Sequence, residues 1–462
     1  MDVSYKFKLA TRFVLVKIPT IIKWYFYCLL GRCIVEEVGS LLDDLTTSPQ
    51  STSTPDRRVL VFLAGPWTIT ASCLPTERPR ITLTGHDYRR VTFACEPIPP
   101  VPAQITALAL DQSPPKSGRL SLASFLSTGE IFIFSFNATD PSLYQSLHSR
   151  PSRHPSGSKT NIIDAAYYHP LLVTLADPFS ISIFDLSSGS VQHTQTLTTF
   201  TCYPPASLIL SSKCTTQFRV IITYTIPVYP HHWSVGVTEI RISRVADTSQ
   251  LISSPTGLSP APSFREDFRS SAFTMAVTSM RTIRAFDVPN GWIDDTVLLT
   301  MREQWGRKLL NVAAVQTDGK WVILAPGNDV LSSSDYSHEL SPTPSSHIPR
   351  SSMGLQLYRL VLPSHSSSVS ASPPKLNFVR TLHGHTSPIL AVALADGRCI
   401  SLSENGSIWV WDLEAGSGIE VTSPDEIFTY SPILSTKGMI SFDERRIVSA
   451  IAGKVVVRRF DI

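Results

Sequence analysis

Along most of the chain, apolar residues fall in short runs rich in β-branched and aromatic side chains. Examples are RRVLVFLAG, RLSLASFLSTGEIFIFSF, LLVTLADPFSISIFDL, FRVIITYTIP, VTEIRISRV, KWVILAPG, LQLYRLVL and KVVVRRFDI. Turn residues punctuate them, which is the signature of strands rather than helices. Downstream of about Pro55 no long stretch sustains a helical apolar period. The pattern predicts an all-β chain of many short strands: a sandwich, a barrel or a propeller.

Five segments break the strand pattern: Thr46–Arg58, Ser149–Thr160, Ser253–Ser263, Ser332–Ser352 and Pro363–Lys375. They are rich in Ser, Thr and Pro and poor in the apolar residues that would offset the entropy of ordering, so they are expected as surface loops or insertions. Steps such as Ser259-Pro260 and Ser341-Pro342 would suit proline-directed kinases, although plain loop composition accounts for them as well.

One stretch, Thr381 to Gly416, has a fuller grammar. Gly384-His385 opens it, followed by an apolar run (Ile389–Leu394), a turn (Asp396-Gly397) and a second strand (Cys399–Ser403). Asn405-Gly406 then turns into a third strand that ends on Trp411-Asp412. Weaker copies follow the same order. Gly85-His86 precedes a unit in which Phe134 stands where the tryptophan would be, and other units end in Phe184-Asp185 and Phe286-Asp287. Repetition of about 40–45 residues, with Gly-His early and Trp-Asp late, resembles the WD40 repeat.

That resemblance implies a WD40-like β-propeller, in which each small sheet hides its faces against its neighbours around a ring. It also implies a hydrogen-bonded set of histidine, strand Ser/Thr, turn carboxylate and tryptophan within a blade. The matching positions are His385, Ser401, Asn405 and Trp411, with Asp412 completing the Trp-Asp pair. Asn405 replaces the usual aspartate. Its amide can still accept from the imidazole, without charge assistance. Such a set stiffens a blade and performs no chemistry.

Seven units are counted: Arg58–Cys73, Ile81–Phe136, Asn161–Leu186, Ala206–Val245, Val297–Leu362, Lys375–Leu413 and Glu420–Ile462. An extra pair, Ala272–Val288, is either an eighth blade or an elaboration of its neighbour. The expected organisation is residues 56–462 as the propeller and residues 1–55 as an N-terminal extension and linker.

That extension has no acidic residue from Val3 to Val35, but contains six lysines and arginines and the cluster Trp24-Tyr25-Phe26-Tyr27. Lys17, Pro19 and Lys23 interrupt any secretory signal, and the apolar run from Trp24 to Gly31 is too short to span a bilayer. A helix or strand packed beside the main domain is the plainer reading; a basic surface touching membrane is the other.

Composition narrows the function. Charged residues are 17%, hydrophobic ones 42%, and the formal net charge is +3, so no whole-protein field draws the chain to nucleic acid. The seven cysteines are scattered without a CxxC pair, as free thiols in a reducing compartment would be, and the chain is expected in the cytoplasm or nucleus. No GxSxG, P-loop, HExxH or EF-hand pattern is present. His383 and His385 resemble an HxH ligand pair, but no third ligand lies at metal spacing. No catalytic residue, cofactor or metal is assigned, and Asp43-Asp44 and Asp294-Asp295 read as surface pairs. Arginine pairs at Arg57-Arg58, Arg89-Arg90, Arg445-Arg446 and Arg458-Arg459 could rim a face for acidic or phosphorylated peptides, or be solvated strand ends.

Divergent blades with Ser/Pro-rich insertions are similar to fungal F-box/WD-repeat proteins. The resemblance implies a non-catalytic substrate receptor or scaffold whose partners are a cullin-ligase adaptor and ubiquitination substrates. Residues 1–55 lack the Leu-Pro-led helices of an F-box; Glu36–Leu45 (EEVGSLLDDL) is at most a fragment of one. The alternatives are a membrane-associated trafficking or coat propeller and a hydrolase working in a propeller channel.

Overall fold

A strand covered on both faces sends successive side chains to two different apolar neighbours, so it reads as a continuous hydrophobic run. In IFIFSFN, Ile131 and Ile133 enter one cluster while Phe132, Phe134 and Phe136 enter another. In WVILAP, Trp321, Ile323 and Ala325 face one way, and Val322 and Leu324 the other.

The computed structural model describes residues 33–38, 58–115, 118–150, 161–198, 202–214, 216–229, 231–246, 273–286, 294–328, 354–363, 374–422 and 437–460. These residues form seven four-stranded antiparallel sheets, with strands a to d running from the axis outward. Blade 1 is Val59–Ala64, Trp67–Ser72, Arg80–Thr84 and Arg90–Ala94. Blade 2 is Ile105–Leu110, Arg119–Leu126, Ile131–Asn137 and Tyr144–Ser149. Blade 3 is Asn161–Tyr168, Leu171–Asp177, Ser180–Asp185 and Gln192–Thr198. Blade 4 has the longest strands: Tyr203–Cys214, Gln217–Val228, His232–Ala246 and Phe273–Arg284. Blade 5 is Val312–Thr317, Trp321–Pro326, Leu355–Val361 and Lys375–Leu382. Blade 6 is Ile389–Ala395, Arg398–Ser403, Ile408–Asp412 and Ser417–Thr422. Blade 7 is Met439–Phe442, Arg446–Ile451 and Lys454–Phe460, with Cys33–Val38 as its d strand.

The a strands touch one another in ring order, and blade 7 meets blade 1. Seven apolar clusters fill the seven spaces between successive blades. The fold is therefore held by inter-blade burial, with each large buried side chain contributing about 1.5–3 kcal/mol. Asp164 adds a polar clasp: its carboxylate accepts from Ala165 N (2.8 Å) in blade 3 and from Leu208 N (2.9 Å) in blade 4.

Four details correct or complete the reading of the sequence. First, Cys33–Val38 pairs with Lys454–Phe460 from Cys33↔Phe460 to Val38↔Val455, so residues 1–55 are not all outside the propeller. Glu36 and Glu37, read as the start of a helical fragment, lie on this strand and form ion pairs with Arg459 (3.1 Å) and Lys454 (3.0 Å). Second, the phase of the repeats is shifted. Arg80–Thr84 and Arg90–Ala94 complete blade 1, Lys375–Leu382 completes blade 5 and Ser417–Thr422 completes blade 6. The d strands of blades 2, 3 and 6 lie largely outside the units counted from the sequence, because they are on the circumference and carry polar sequences such as QHTQTLT. Third, the two alternatives left for Ala272–Val288 are decided: Phe273–Arg284 is the d strand of blade 4, an elaboration of that blade and not an eighth one. Fourth, the unit begun at Val297 contains a helix, α1 (Asp295–Gly306), which Asp294 caps by accepting from Val297 N at 2.8 Å. Of the Ser/Pro-rich segments, residues 46–57, 151–160, 253–263, 332–352 and 364–373 lie outside the described residues, as does the aromatic cluster at 24–27.

Candidate functional site

The segment Thr381–Gly416 runs from the d strand of blade 5 through all but the last strand of blade 6. Its histidines part company: His383 is exposed, while His385 is buried. His385 Nε2 lies 2.6 Å from Ser401 Oγ, and Nδ1 lies 3.2 Å from Ser407 Oγ. Trp411 Nε1 donates to Ser401 Oγ at 2.9 Å. Ser403 Oγ lies 2.7 Å from Ser407 Oγ and donates to Asn405 Oδ1 at 2.5 Å.

One direction of proton donation satisfies the whole chain. Trp411 donates to Ser401, Ser401 to His385 Nε2, His385 Nδ1–H to Ser407, Ser407 to Ser403 and Ser403 to Asn405. That order requires a neutral imidazole, and burial holds the His385 pKa down at about 4. Among the described residues no hydrogen bond joins His385 to Asn405. The amide instead accepts from Ser403 Oγ and Ser407 N (3.1 Å), and Ser407 relays it to the ring. Asp412 stands apart from this set: Oδ1 accepts from Glu414 N and Ala415 N, each at 3.0 Å, and thereby shapes the c–d turn.

Two glycines make room for the indoles. A Cβ on Gly384 would lie 2.8 Å from the Trp409 ring, and one on Gly418 would lie 2.1 Å from the Trp411 ring. Trp409 and Trp411 stack with centroids 5.0 Å apart.

Other blades keep parts of this arrangement. Phe134 stands five residues after Gly129, as Trp411 does after Gly406, and packs towards the preceding blade. In blade 2 the sulfur of Cys95 meets Ser124 Oγ at 3.7 Å, so a thiol occupies the histidine's role; burial pushes it up to about 12. In blade 3 Asp185 Oδ1 accepts from Ser187 N at 2.8 Å, as Asp412 does from Glu414. Gly85-His86, by contrast, lies in the c–d turn of blade 1 with His86 exposed, and Phe286 follows the d strand of blade 4 and packs against Trp305. Those two dipeptides match the repeat in sequence only.

The axis of the ring is a channel of about 1160 Å³, lined in part by Phe62, Asp164, Gln316, Leu394 and Met439. Several of its ionisable groups have structural duties. Burial pushes the Asp164 carboxyl up to about 6 against the pull of its two backbone donors. Asp318 Oδ1 accepts from Lys320 N (2.9 Å) and Trp321 N (2.7 Å), and Lys320 pairs with Glu414. Away from the axis, buried Glu239 sits between Arg219 (3.0 Å) and Arg241 (3.1 Å). Buried Arg446 holds Asp443 (2.6 Å) and donates to the carbonyls of Gly65 and Pro66, locking blade 7 to blade 1. Among the described residues, no three His, Cys, Asp or Glu side chains are grouped to hold a metal ion, and no helix is long and apolar enough to cross a membrane.

The chain is a WD40-like β-propeller. A family model described as the F-box protein pof12 beta-propeller matches residues 88–312, from the c–d turn of blade 1 to the first residue of blade 5, and the chain resembles F-box proteins to that extent. Solved structures to which it is similar include the WD40 beta propeller domain of Doa1, 11% identical, with 88% of this chain and 93% of that one covered at a TM-score of 0.37. BamB from Moraxella catarrhalis is 10% identical, with coverage of 92% and 100% and a TM-score of 0.37. The computationally designed Ika8 protein is 10% identical, with coverage of 87% and 95% and a TM-score of 0.35. No curated protein sequence matches the chain.

Proposed function

We propose that the chain is a non-catalytic protein-interaction scaffold of the cytoplasm or nucleus, acting as a substrate receptor for a cullin-RING ubiquitin ligase. The match of residues 88–312 to the propeller of an F-box protein supports the ligase assignment. The single observation that carries the scaffold reading is how the polar groups inside the ring are used. His385 is held neutral in a closed hydrogen-bond chain, and Asp164, Asp318 and Arg446 tie blades and turns together. Polar groups committed to rigidity leave the loops at the two ring mouths to do the binding.

The strand Cys33–Val38 belongs to the ring, so a segment that recruits an adaptor would lie before residue 33 or between residues 39 and 57. The test is affinity purification of the full chain beside a chain lacking residues 1–30, which keeps the closing strand. Recovery of a cullin adaptor with the full chain supports the receptor role. Recovery of other stable partners without any adaptor removes the ligase and leaves the scaffold. A purified chain that turns over a substrate would remove the scaffold reading.

A further inference from the structure

The link from blade 1 to blade 2, residues 95–104, reads CEPIPPVPAQ. Its prolines give the spacing Pro-x-x-Pro twice, from Pro97 to Pro100 and from Pro99 to Pro102. The structure chooses between the two frames. Pro97 is buried, and Ile98 N donates to Glu130 Oε1 at 3.1 Å. Beyond that anchor Ile98, Pro99, Pro100, Val101 and Pro102 are all exposed, Ile98 by 58% and Val101 by 38%. The chain returns under cover at Ala103, which is fully buried and exchanges two backbone hydrogen bonds with Thr76, each of 2.9 Å. Gln104 N then donates to Ser127 Oγ at 3.2 Å. The exposed strip is thus fixed at both ends to the b–c turns of blades 1 and 2.

Its conformation follows from its composition. Ring closure holds φ of Pro99, Pro100 and Pro102 at about −65°, and the proline that follows Pro99 and Val101 pushes each of those two residues to extended ψ. After a bend at Ile98 and Pro99 the chain runs to Pro102 without another, in neither strand nor helix. These are the constraints of a polyproline II helix, whose turn of about three residues sets Pro99 and Pro102 on one edge.

The same chemistry narrows the occupant. Pro99, Pro100 and Pro102 have no N–H, so an added β-strand finds no ladder to continue. No residue from Pro97 to Pro102 is charged, so ion pairing does not select the partner. Among the described residues no donor reaches the carbonyls of Pro99, Pro100 or Val101. What is presented is a ridge of flat rings with bare acceptors between them. Aromatic faces pack on such rings, and Tyr or Trp donors reach such carbonyls.

We propose that Pro99–Pro102 is a ready-made ligand for a partner domain that reads polyproline II helices through an aromatic-lined groove. Pro99 and Pro102 enter the groove, and the two anchors remove part of the ordering cost that a free peptide would bear. This deepens the scaffold reading and rests on it, naming one contact and the chemistry of its partner.

The test probes an array of purified WW, SH3 and EVH1 domains with the full chain. At least one domain is expected to bind, and its affinity should fall about tenfold or more when Pro99→Ala and Pro102→Ala are combined. Both positions are exposed, and an unchanged thermal transition verifies that the double variant folds. Independently of that variant, a synthetic peptide of residues 96–104 in large excess should compete for the same domain. A silent array, an affinity unchanged in the double variant, or no competition by the peptide would each overturn the proposal. Affinity purification with the full chain separates the two ideas. Stable partners recovered while the array stays silent overturn this inference alone; no partner by either route overturns the scaffold as well.

Discussion

Cys33 lies opposite Phe460 in an antiparallel pair, so the two ends of the described chain are neighbours in one sheet. Blade 7 is complete only when residues from the start of the chain join residues from its end. A ring closed in this way makes its stability depend on a strand distant in sequence from its partners.

Removing residues 1–38 therefore bares the edge of Lys454–Phe460 and reopens an unpaired strand. The expected outcome is a thermal transition lowered by several degrees and self-association in size-exclusion chromatography. Removing residues 1–30 should do neither. Equal behaviour of the two truncations would contradict closure by this strand.

The hydrogen-bond chain of blade 6 gives a graded series. Ser401→Ala removes the group shared by Trp411 Nε1 and His385 Nε2 and leaves both buried without that partner, at a cost of about 1–3 kcal/mol. Trp411→Ala also empties part of the interface between blades 5 and 6 and should cost about 3–5 kcal/mol. Denaturant unfolding measures both. If Ser401→Ala proved the more damaging, the network rather than the packing would dominate this blade.

Two buried groups set opposite pH dependences. His385 takes up its proton near pH 4 when folded but near 6.5 when unfolded. Above pH 6.5 it costs nothing; as pH falls from 6.5 to 4, the unfolded chain gains a proton that the folded one refuses. Stability then drops by about 1.4 kcal/mol per pH unit. Asp164 is ionised near 3.8 when unfolded but only near 6 when folded, so its contribution is lost as pH rises across that window. Between pH 4 and 6 the two slopes oppose each other in the native chain. Unfolding free energies measured across this range should rise with pH more steeply in Asp164→Asn than in the native chain, and fall with pH in His385→Asn. Identical slopes in all three proteins would show that neither group is held as described.

The strand pattern and the turn at Asn405-Gly406 were legible in the sequence. Each rests on local chemistry: a strand buried on both faces must be apolar throughout, and a tight turn needs its glycine. Helix α1 was missed although its signals, Asp294 as cap and the helix-favouring run after it, were present. Val297, Met301 and Trp305 do share a side, but the helix runs for only about three turns and Leu299 stands off that side, so the period is too short to announce it.

Other features only the tertiary structure decided. The d strands are polar because they meet water, and nothing local assigns Lys375–Leu382 to blade 5 rather than to the unit after it. The substitution of Ser407 for a direct Asn405 contact depends on where a backbone turn places two small side chains. The joining of Cys33–Val38 to Lys454–Phe460 depends on the ring having turned through a full circle. Periodicity along a chain records what each residue faces; it does not record which distant residue is there to be faced, and that pairing is fixed only when the blades meet.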